Sequence, residues 1–173
     1  ARALGVLKHE PGVPLLVKEY SPKPGQRPQA RIMLIGGTHG DEYSSVSIVF
    51  KWMKILDAHH SGLFHWQVVP LLNPDGLLQK QARRTNANGV DLNRNFATSD
   101  WAKESLTYWV KHTGKDPRRY PGKAALSEPE SLWLAQQIER FRPNVIVSVH
   151  APYNLLDFDG PPEVSPKRLG NIY

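Results

Sequence analysis

An apolar run, Ile32-Met33-Leu34-Ile35, leads directly into Gly36-Gly37-Thr38-His39-Gly40-Asp41-Glu42, and an amphipathic stretch, 43–56, follows at once. The apolar run reads as a buried strand and the amphipathic stretch as a helix. His39 and Glu42 therefore sit where a strand ends and a helix begins, the edge at which open α/β sheets keep their sites. An imidazole and a carboxylate three positions apart can face one metal ion, and the flanking glycines let the backbone turn tightly beside it. Zn²⁺ suits nitrogen and oxygen donors with one position left open. A catalytic zinc site typically takes three protein ligands. The third candidate is His150, which ends a second apolar run, 145–149. Two neighbouring parallel strands would bring His39, Glu42 and His150 together.

Composition narrows the chemistry. The chain has 173 residues, enough for one domain with a real core, and no cysteine, so a zinc ion must be held by histidine and carboxylate alone. The net charge of +6 is scattered, and no basic stripe interleaved with aromatics appears, which argues against a nucleic-acid partner. It reads as a solvated basic surface that favours an anionic substrate. No apolar run approaches membrane-spanning length. The chain opens on Ala1 rather than Met, without a signal-peptide pattern, and so reads as a processed product or a trimmed piece.

Residues 1–12 carry no clear signal, 13–20 form a strand candidate, and 21–29 a loop. In 43–56, Val46, Ile48, Val49, Trp52, Met53 and Leu56 fit a 3.6-residue period. His59 and His60, adjacent at that helix's end, read as a solvated pair. The run 68–72 is the next strand, its Pro70 pointing to an end or an edge. Asn73-Pro74-Asp75-Gly76 is a turn signal. The loop 83–100 is too rich in Asn and Arg to build a core, yet Val90, Leu92 and Phe96 could anchor it, and anchored polar loops line sites. A partly exposed helix is expected over 101–112. Another runs to about Phe141, with Ser127 as its cap, Pro129 early and Glu130 at the capping-box position. Residues 151–173 read as loop. Strands alternating with helices predict an α/β fold with a mixed, largely parallel twisted sheet flanked by helices, in one domain over 1–173.

Five blocks, His39-Gly40-Asp41-Glu42, Asn73-Pro74-Asp75-Gly76, Gly89-Val90-Asp91-Leu92-Asn93-Arg94-Asn95-Phe96, Ser127-Glu128-Pro129-Glu130 and Ser148-Val149-His150-Ala151-Pro152, occur in that order. In this the chain resembles zinc carboxypeptidases of the carboxypeptidase A type, most of all the bacterial murein peptide amidases. The resemblance covers roughly residues 30–160, and five blocks in order are far more specific than one His-x-x-Glu. It implies that His39, Glu42 and His150 bind one zinc, and that Asp91 orients the first histidine. It implies that Arg84, with Arg83 as the alternative, holds an oxyanion, and that Asn93 and Arg94 bind the substrate's terminal carboxylate, a task for which a planar guanidinium is suited.

The resemblance implies zinc-dependent hydrolysis of an amide bond next to a free carboxylate. A peptidoglycan peptide cut at its γ-D-glutamyl–diaminopimelate bond is the first candidate substrate, and an ordinary L-peptide the second. It also implies a bacterial periplasm or cell envelope, with the cytoplasm as the alternative. Asp157 is expected to meet an ammonium of the substrate's side chain, while Asp159 reads first as a turn residue. The family's general base is a glutamate well downstream of the third ligand, and no strand ending in Glu follows His150 before Tyr173. Glu163, in a proline-rich loop, takes no role. The chain is therefore expected to be the amino-terminal portion of a catalytic domain. A non-catalytic zinc and peptide-binding module is the rival from another class, and a deacylase of small N-acyl amino acids a third reading.

Overall fold

The computed structural model describes residues 3–7 and 13–152. Five strands, β1 (Ala3–Leu7), β2 (Leu15–Tyr20), β3 (Arg31–Ile35), β4 (His65–Val69) and β5 (Val145–Ser148), form one sheet in the order β1-β2-β4-β3-β5. β3 pairs in parallel with β4 on one side and with β5 on the other, while β1–β2 and β2–β4 are antiparallel. The mixed α/β sheet is the expected architecture. Helices α1 (Tyr43–His59), α3 (Trp101–Thr113) and α4 (Pro129–Phe141), the one-turn α2 (Pro74–Leu77) and the 3-10 turns Leu92–Arg94 and Pro117–Arg119 complete the described elements.

Side chains alternate across the sheet, as strand geometry requires. Met33 and Ile35 of β3 and Val69 of β4 enter one buried cluster with Trp133, Leu134 and Phe141 of α4. Leu34 and Val68, one residue out of phase, enter another with Val49 of α1, against which Met53, Leu56 and Val147 pack. The sheet is thus covered by α4 on one face and α1 on the other. The chain leaves β3 through α1 to reach β4 on one side, and returns through α4 to β5 on the other. The carboxyl end of β3 is the point where the connections diverge, and there a crevice opens.

Several expectations need correction. Residues 3–7 are a strand, a five-residue apolar run too short to show a period. The strand predicted over 68–72 is His65–Val69, and it lies between two other strands rather than at an edge. Pro70 ends it, because proline has no N–H for the ladder. The α1 core stripe is Val46, Val49, Met53 and Leu56; Ile48 and Trp52, 41% and 39% exposed, point away from the sheet. His60 is not solvated beside the exposed His59: its Nε2 lies 3.0 Å from the Phe64 carbonyl and its ring packs on Tyr20. The 73–76 turn is α2, with Asn73 as its cap and Pro74 at its start. Glu128, not Ser127, occupies the cap position of α4, and the Ser127 hydroxyl donates to the Glu128 carboxylate.

Candidate metal centre

The peptide after β3 carries His39 into the crevice, and two close approaches place it. Gly37 adopts φ +60°, a conformation side-chain-bearing residues rarely take. Gly40 lies against the backbone of α2: a Cβ there would stand 2.3 Å from the Gly76 carbonyl carbon and 2.6 Å from the Arg83 oxygen. From the neighbouring parallel strand, whose Ser148 is level with Ile35, the chain delivers His150 to the same place. Donor atoms of His39, Glu42 and His150 lie within 4.8 Å of one another. Both histidines turn Nδ1 toward Glu42, His39 at 2.8 Å from Oε1 and His150 at 3.1 Å from Oε2. The Ala151 N–H also donates to Glu42 Oε2, 3.2 Å away, tying the end of β5 to the carboxylate.

The opposite ring nitrogens are engaged. His39 Nε2 lies 3.0 Å from Asp91 Oδ1, and His150 Nε2 3.1 Å from the Ser148 hydroxyl. Asp91 is wholly buried; its Oδ1 also accepts the Asn93 N–H and its Oδ2 accepts from Arg84 Nε, each at 3.0 Å. With Nε2–H donated to Asp91, the Nδ1 lone pair of His39 is presented to the cluster, the arrangement usual for metal-binding histidines. Two imidazole nitrogens and one carboxylate, 2% exposed at His39, 11% at Glu42 and 30% at His150, make a three-donor set open on one side. That donor set fits zinc.

The electrostatics agree with this arrangement. Burial disfavours charge on His39, but the Asp91 and Glu42 carboxylates outweigh it and raise its pKa above 6.5. Burial likewise pushes Glu42 up, yet hydrogen bonds from His150 and His39 bring it down to about 2. Asp91, opposed by burial and supported by His39 and Arg84, stays below the usual carboxylate range. In the metal-free protein a proton on His39 balances charge that a cation would otherwise balance.

Of the two candidate arginines, Arg84 reaches the centre, with Nη1 3.8 Å from Glu42. Arg83 is exposed and contributes through its backbone N–H, which bonds the Gly76 carbonyl at 2.9 Å. A cavity of about 510 Å³ opens over the cluster, lined by Asp41, Glu42, Tyr43, Arg84, Arg118 and Pro152 among others. Asn93 and Arg94 do not line it; they face a neighbouring cavity, and Arg94 Nη1 donates to the Asn93 carbonyl at 3.0 Å. Asp157 and Asp159 lie outside the described residues.

Sequence reasoning missed two contributors. Asn73 is fully buried; its Oδ1 accepts the Gly76 N–H at 2.8 Å, and its Nδ2 donates to the Arg84 carbonyl at 3.0 Å and the Thr38 carbonyl at 3.4 Å. It thereby joins the histidine loop, α2 and the arginine loop. An asparagine directly before a proline is a helix-cap signal as well as a turn signal. The other is Arg118, whose Nη2 bonds Asp41 Oδ2 at 2.8 Å across the cavity mouth; nothing in its local sequence distinguishes it from other surface arginines.

The sequence model of the zinc carboxypeptidase family, peptidase family M14, matches residues 10–158. The chain belongs to this family. Murein peptide amidase A of Escherichia coli K12 is 38% identical over 144 residues, which cover 82% of this chain and 55% of that protein. The enzyme of the same name from Vibrio campbellii is 34% identical over 148 residues, 84% of this chain and 56% of its own length. The crystal structure of a murein-tripeptide amidase from Escherichia coli O157 superposes with a TM-score of 0.60 at 32% identity, over 84% of this chain and 59% of that one. Thrombin-activatable fibrinolysis inhibitor, at 22% identity, shares the fold with a TM-score of 0.73 over 87% of this chain and 42% of its own. The chain spans about half the length of the curated relatives it matches. Like other zinc carboxypeptidase domains, it carries a His-Glu-His group that can hold the metal.

Proposed function

We propose that this chain carries the metal-binding part of a zinc-dependent amidase that hydrolyses a terminal amide bond beside a free carboxylate, acting on murein peptides. The observation that carries the reading is the cluster of His39, Glu42 and His150 with Arg84 beside it and Asp91 holding both His39 and Arg84. The murein substrate is supported by the relatives at 34 to 38% identity.

A zinc ion in this donor set supplies Lewis acidity and a water of lowered pKa. The protein's own residues do the rest. Asp91 keeps His39 in the tautomer that presents Nδ1. Arg84, held through Nε by the same carboxylate, aims its terminal nitrogens at the cavity, where a carbonyl oxygen gaining negative charge would be stabilised. Asn93 and Arg94 hold the substrate's carboxylate and so select the terminal bond.

A second reading, binding without turnover, is favoured by one observation. Among the described residues, the carboxylates lining the metal-side cavity are Asp41 and Glu42, the first paired with Arg118 and the second turned to both histidines. Neither is placed to take a proton from water. The test is metal analysis followed by an assay with a γ-D-glutamyl–diaminopimelate peptide and an ordinary L-peptide. One zinc per chain, lost in His150→Ala, with cleavage of the murein peptide is the expected result. Zinc with peptide binding but no cleavage selects the binding module, and full zinc occupancy in His150→Ala refutes the ligand set.

A further inference from the structure

The block Ser127-Glu128-Pro129-Glu130 reads in the sequence as a helix start, yet the terminus of α4 has no side-chain cap bond. Its two carboxylates are instead buried against another loop, Glu128 at 4% and Glu130 at 0% exposure. Both meet the Asn86 amide, whose Nδ2 donates to Glu128 Oε2 at 2.8 Å and to Glu130 Oε2 at 3.1 Å. The Asn88 amide donates to the same Glu128 oxygen at 2.7 Å, and the Ser127 hydroxyl to Oε1 at 2.8 Å. A buried carboxylate is costly unless donors surround it, and bonds to a charged acceptor are stronger than neutral ones. Burial opposes charge on Glu128, but the donors from Asn86, Asn88 and Ser127 hold its pKa below the usual carboxylate range.

Asn86 is fully buried and closes the chain on itself just after Arg84. Its N–H donates to the Val90 carbonyl at 3.0 Å, and its carbonyl accepts the Gly89 N–H at 3.1 Å. Its Oδ1 accepts the N–H groups of Asn88 and Val90, at 3.1 and 3.0 Å. Residues 86–90 therefore form a closed ring with Arg84 leading in and Asp91 leading out. The ring is why Arg84 Nε can reach Asp91 Oδ2 at 3.0 Å from seven residues away. The side-chain amides of Asn86 and Asn88 fasten this ring to the start of α4, and α4 is seated on the sheet through Trp133, Leu134 and Phe141. A continuous path thus runs from the sheet through α4, Glu128 and the ring to Asp91, and from Asp91 Oδ1 to His39 Nε2 at 3.0 Å.

We propose that Glu128 is a positioning residue for the metal centre: by holding the Asn86 and Asn88 amides it sets where Asp91 stands against His39 and where Arg84 stands beside the cavity. The proposal rests on the reading of His39 as a zinc ligand.

The test joins zinc-binding calorimetry to proton NMR of the metal-free chain, in which the His39 Nε2–H bonded to Asp91 gives a downfield resonance, identified by its loss in His39→Gln. Glu128→Ala is expected to weaken zinc binding by about tenfold or more, the range usual for partners behind a ligand, and to shift or remove the resonance. Glu128→Gln can keep an oxygen toward Asn86 and Asn88 and turn its amide to the Ser127 hydroxyl, so both readouts should return to near wild type. Asn88→Ala, at a partly exposed position in the ring, should cost a smaller part of the affinity. In an Asp91→Asn background, Glu128→Ala should add little, because the two act on His39 by one route. A carboxylate that only stabilises the fold would lower Tm and leave the resonance and the folded protein's affinity in place; that result in Glu128→Ala overturns the proposal. So does a full, additive loss in the Asp91→Asn background. Should Glu128→Ala fail to fold, Asn88→Ala decides, and an unchanged affinity and resonance there overturn the proposal. The resonance needs no metal, so a wild-type chain that binds no zinc refutes the ligand set while the NMR result still judges Glu128.

Discussion

Replacing Asn73 separates two jobs that one buried amide performs. Asn73→Ala removes the cap on the Gly76 N–H, worth about 1 kcal/mol for a helix start. It also strips the Arg84 carbonyl of its partner at 3.0 Å and the Thr38 carbonyl of a longer one at 3.4 Å. An ordinary hydrogen bond contributes on the order of 1 kcal/mol net, and the 3.4 Å contact contributes less. The sum is about 2–3 kcal/mol, which for a chain of this size lowers Tm by roughly 5–10 °C. Asn73→Asp is the sharper variant. It keeps the oxygen that caps Gly76 and replaces the amide nitrogen with a second oxygen facing two carbonyls. If joining the loops matters, Asn73→Asp must be at least as damaging as Asn73→Ala at neutral pH, because a buried charge then opposes two acceptors. Thermal unfolding of the metal-free protein measures this, and zinc titration shows whether the histidine loop has moved. An Asn73→Asp protein as stable as wild type would mean that Asn73 only caps α2, and the account of how the loops are joined would be wrong.

Two further outcomes are expected. In an active form of the enzyme, Arg84→Ala should lower kcat by roughly a hundredfold or more, whereas Arg94→Ala should mainly raise KM. Matching changes in both parameters for the two variants would contradict their separate roles. The pKa of His39 is raised above 6.5, so the carboxylates around it stabilise the metal-free fold fully below pH 6.5, and that contribution is lost as pH rises through the raised value. Metal-free Tm should therefore fall as pH rises above 6.5 while zinc affinity rises over the same interval, because the cation displaces that proton; a His39→Gln variant should lose the Tm slope.

What the sequence made legible follows from how far each signal reaches along the chain. The strand before Gly36 and the apolar stripe of α1 are local patterns, and both appear where they were expected. The α1 stripe was read too broadly, since Ile48 and Trp52 satisfy the same spacing rule loosely yet face away from the sheet. A 3.6-residue period accepts apolar residues on either side of the true stripe, and only the neighbouring sheet decides which are covered. β4 was misplaced by several residues because Val68 and Val69 lie on both the expected and the observed strand, and the apolar Leu71 and Leu72 beyond Pro70 looked like its continuation. His65 and Gln67, which are polar, belong to the strand because its partner Arg31–Ile35 pairs with them, and that is information from elsewhere in the chain.

The site divides the same way. His39, Glu42 and His150 could be proposed because each closes a strand, and a parallel pair of strands delivers its carboxyl ends to one edge. What positions them could not be read so simply. Arg84 and Asp91 share one long loop and Asn73 caps α2, and Asp91 and Asn73 work through atoms whose partners lie far along the sequence, Asp91 on His39 and Asn73 on Thr38. A polar loop has no periodicity to betray which of its amides is buried. Only the count of hydrogen-bonding groups does so: Asn73 is buried with its cap oxygen and both carbonyl contacts engaged, whereas exposed Asn93 lends Asp91 only its backbone N–H and leaves its amide to the neighbouring cavity. A buried asparagine must satisfy its own donors and acceptors, and in doing so it fixes the loops that carry Arg84 and His39 relative to each other. In this chain the geometry of the metal centre is therefore set as much by neutral amides as by the three ligands, and their substitutions should alter zinc affinity without touching a ligand.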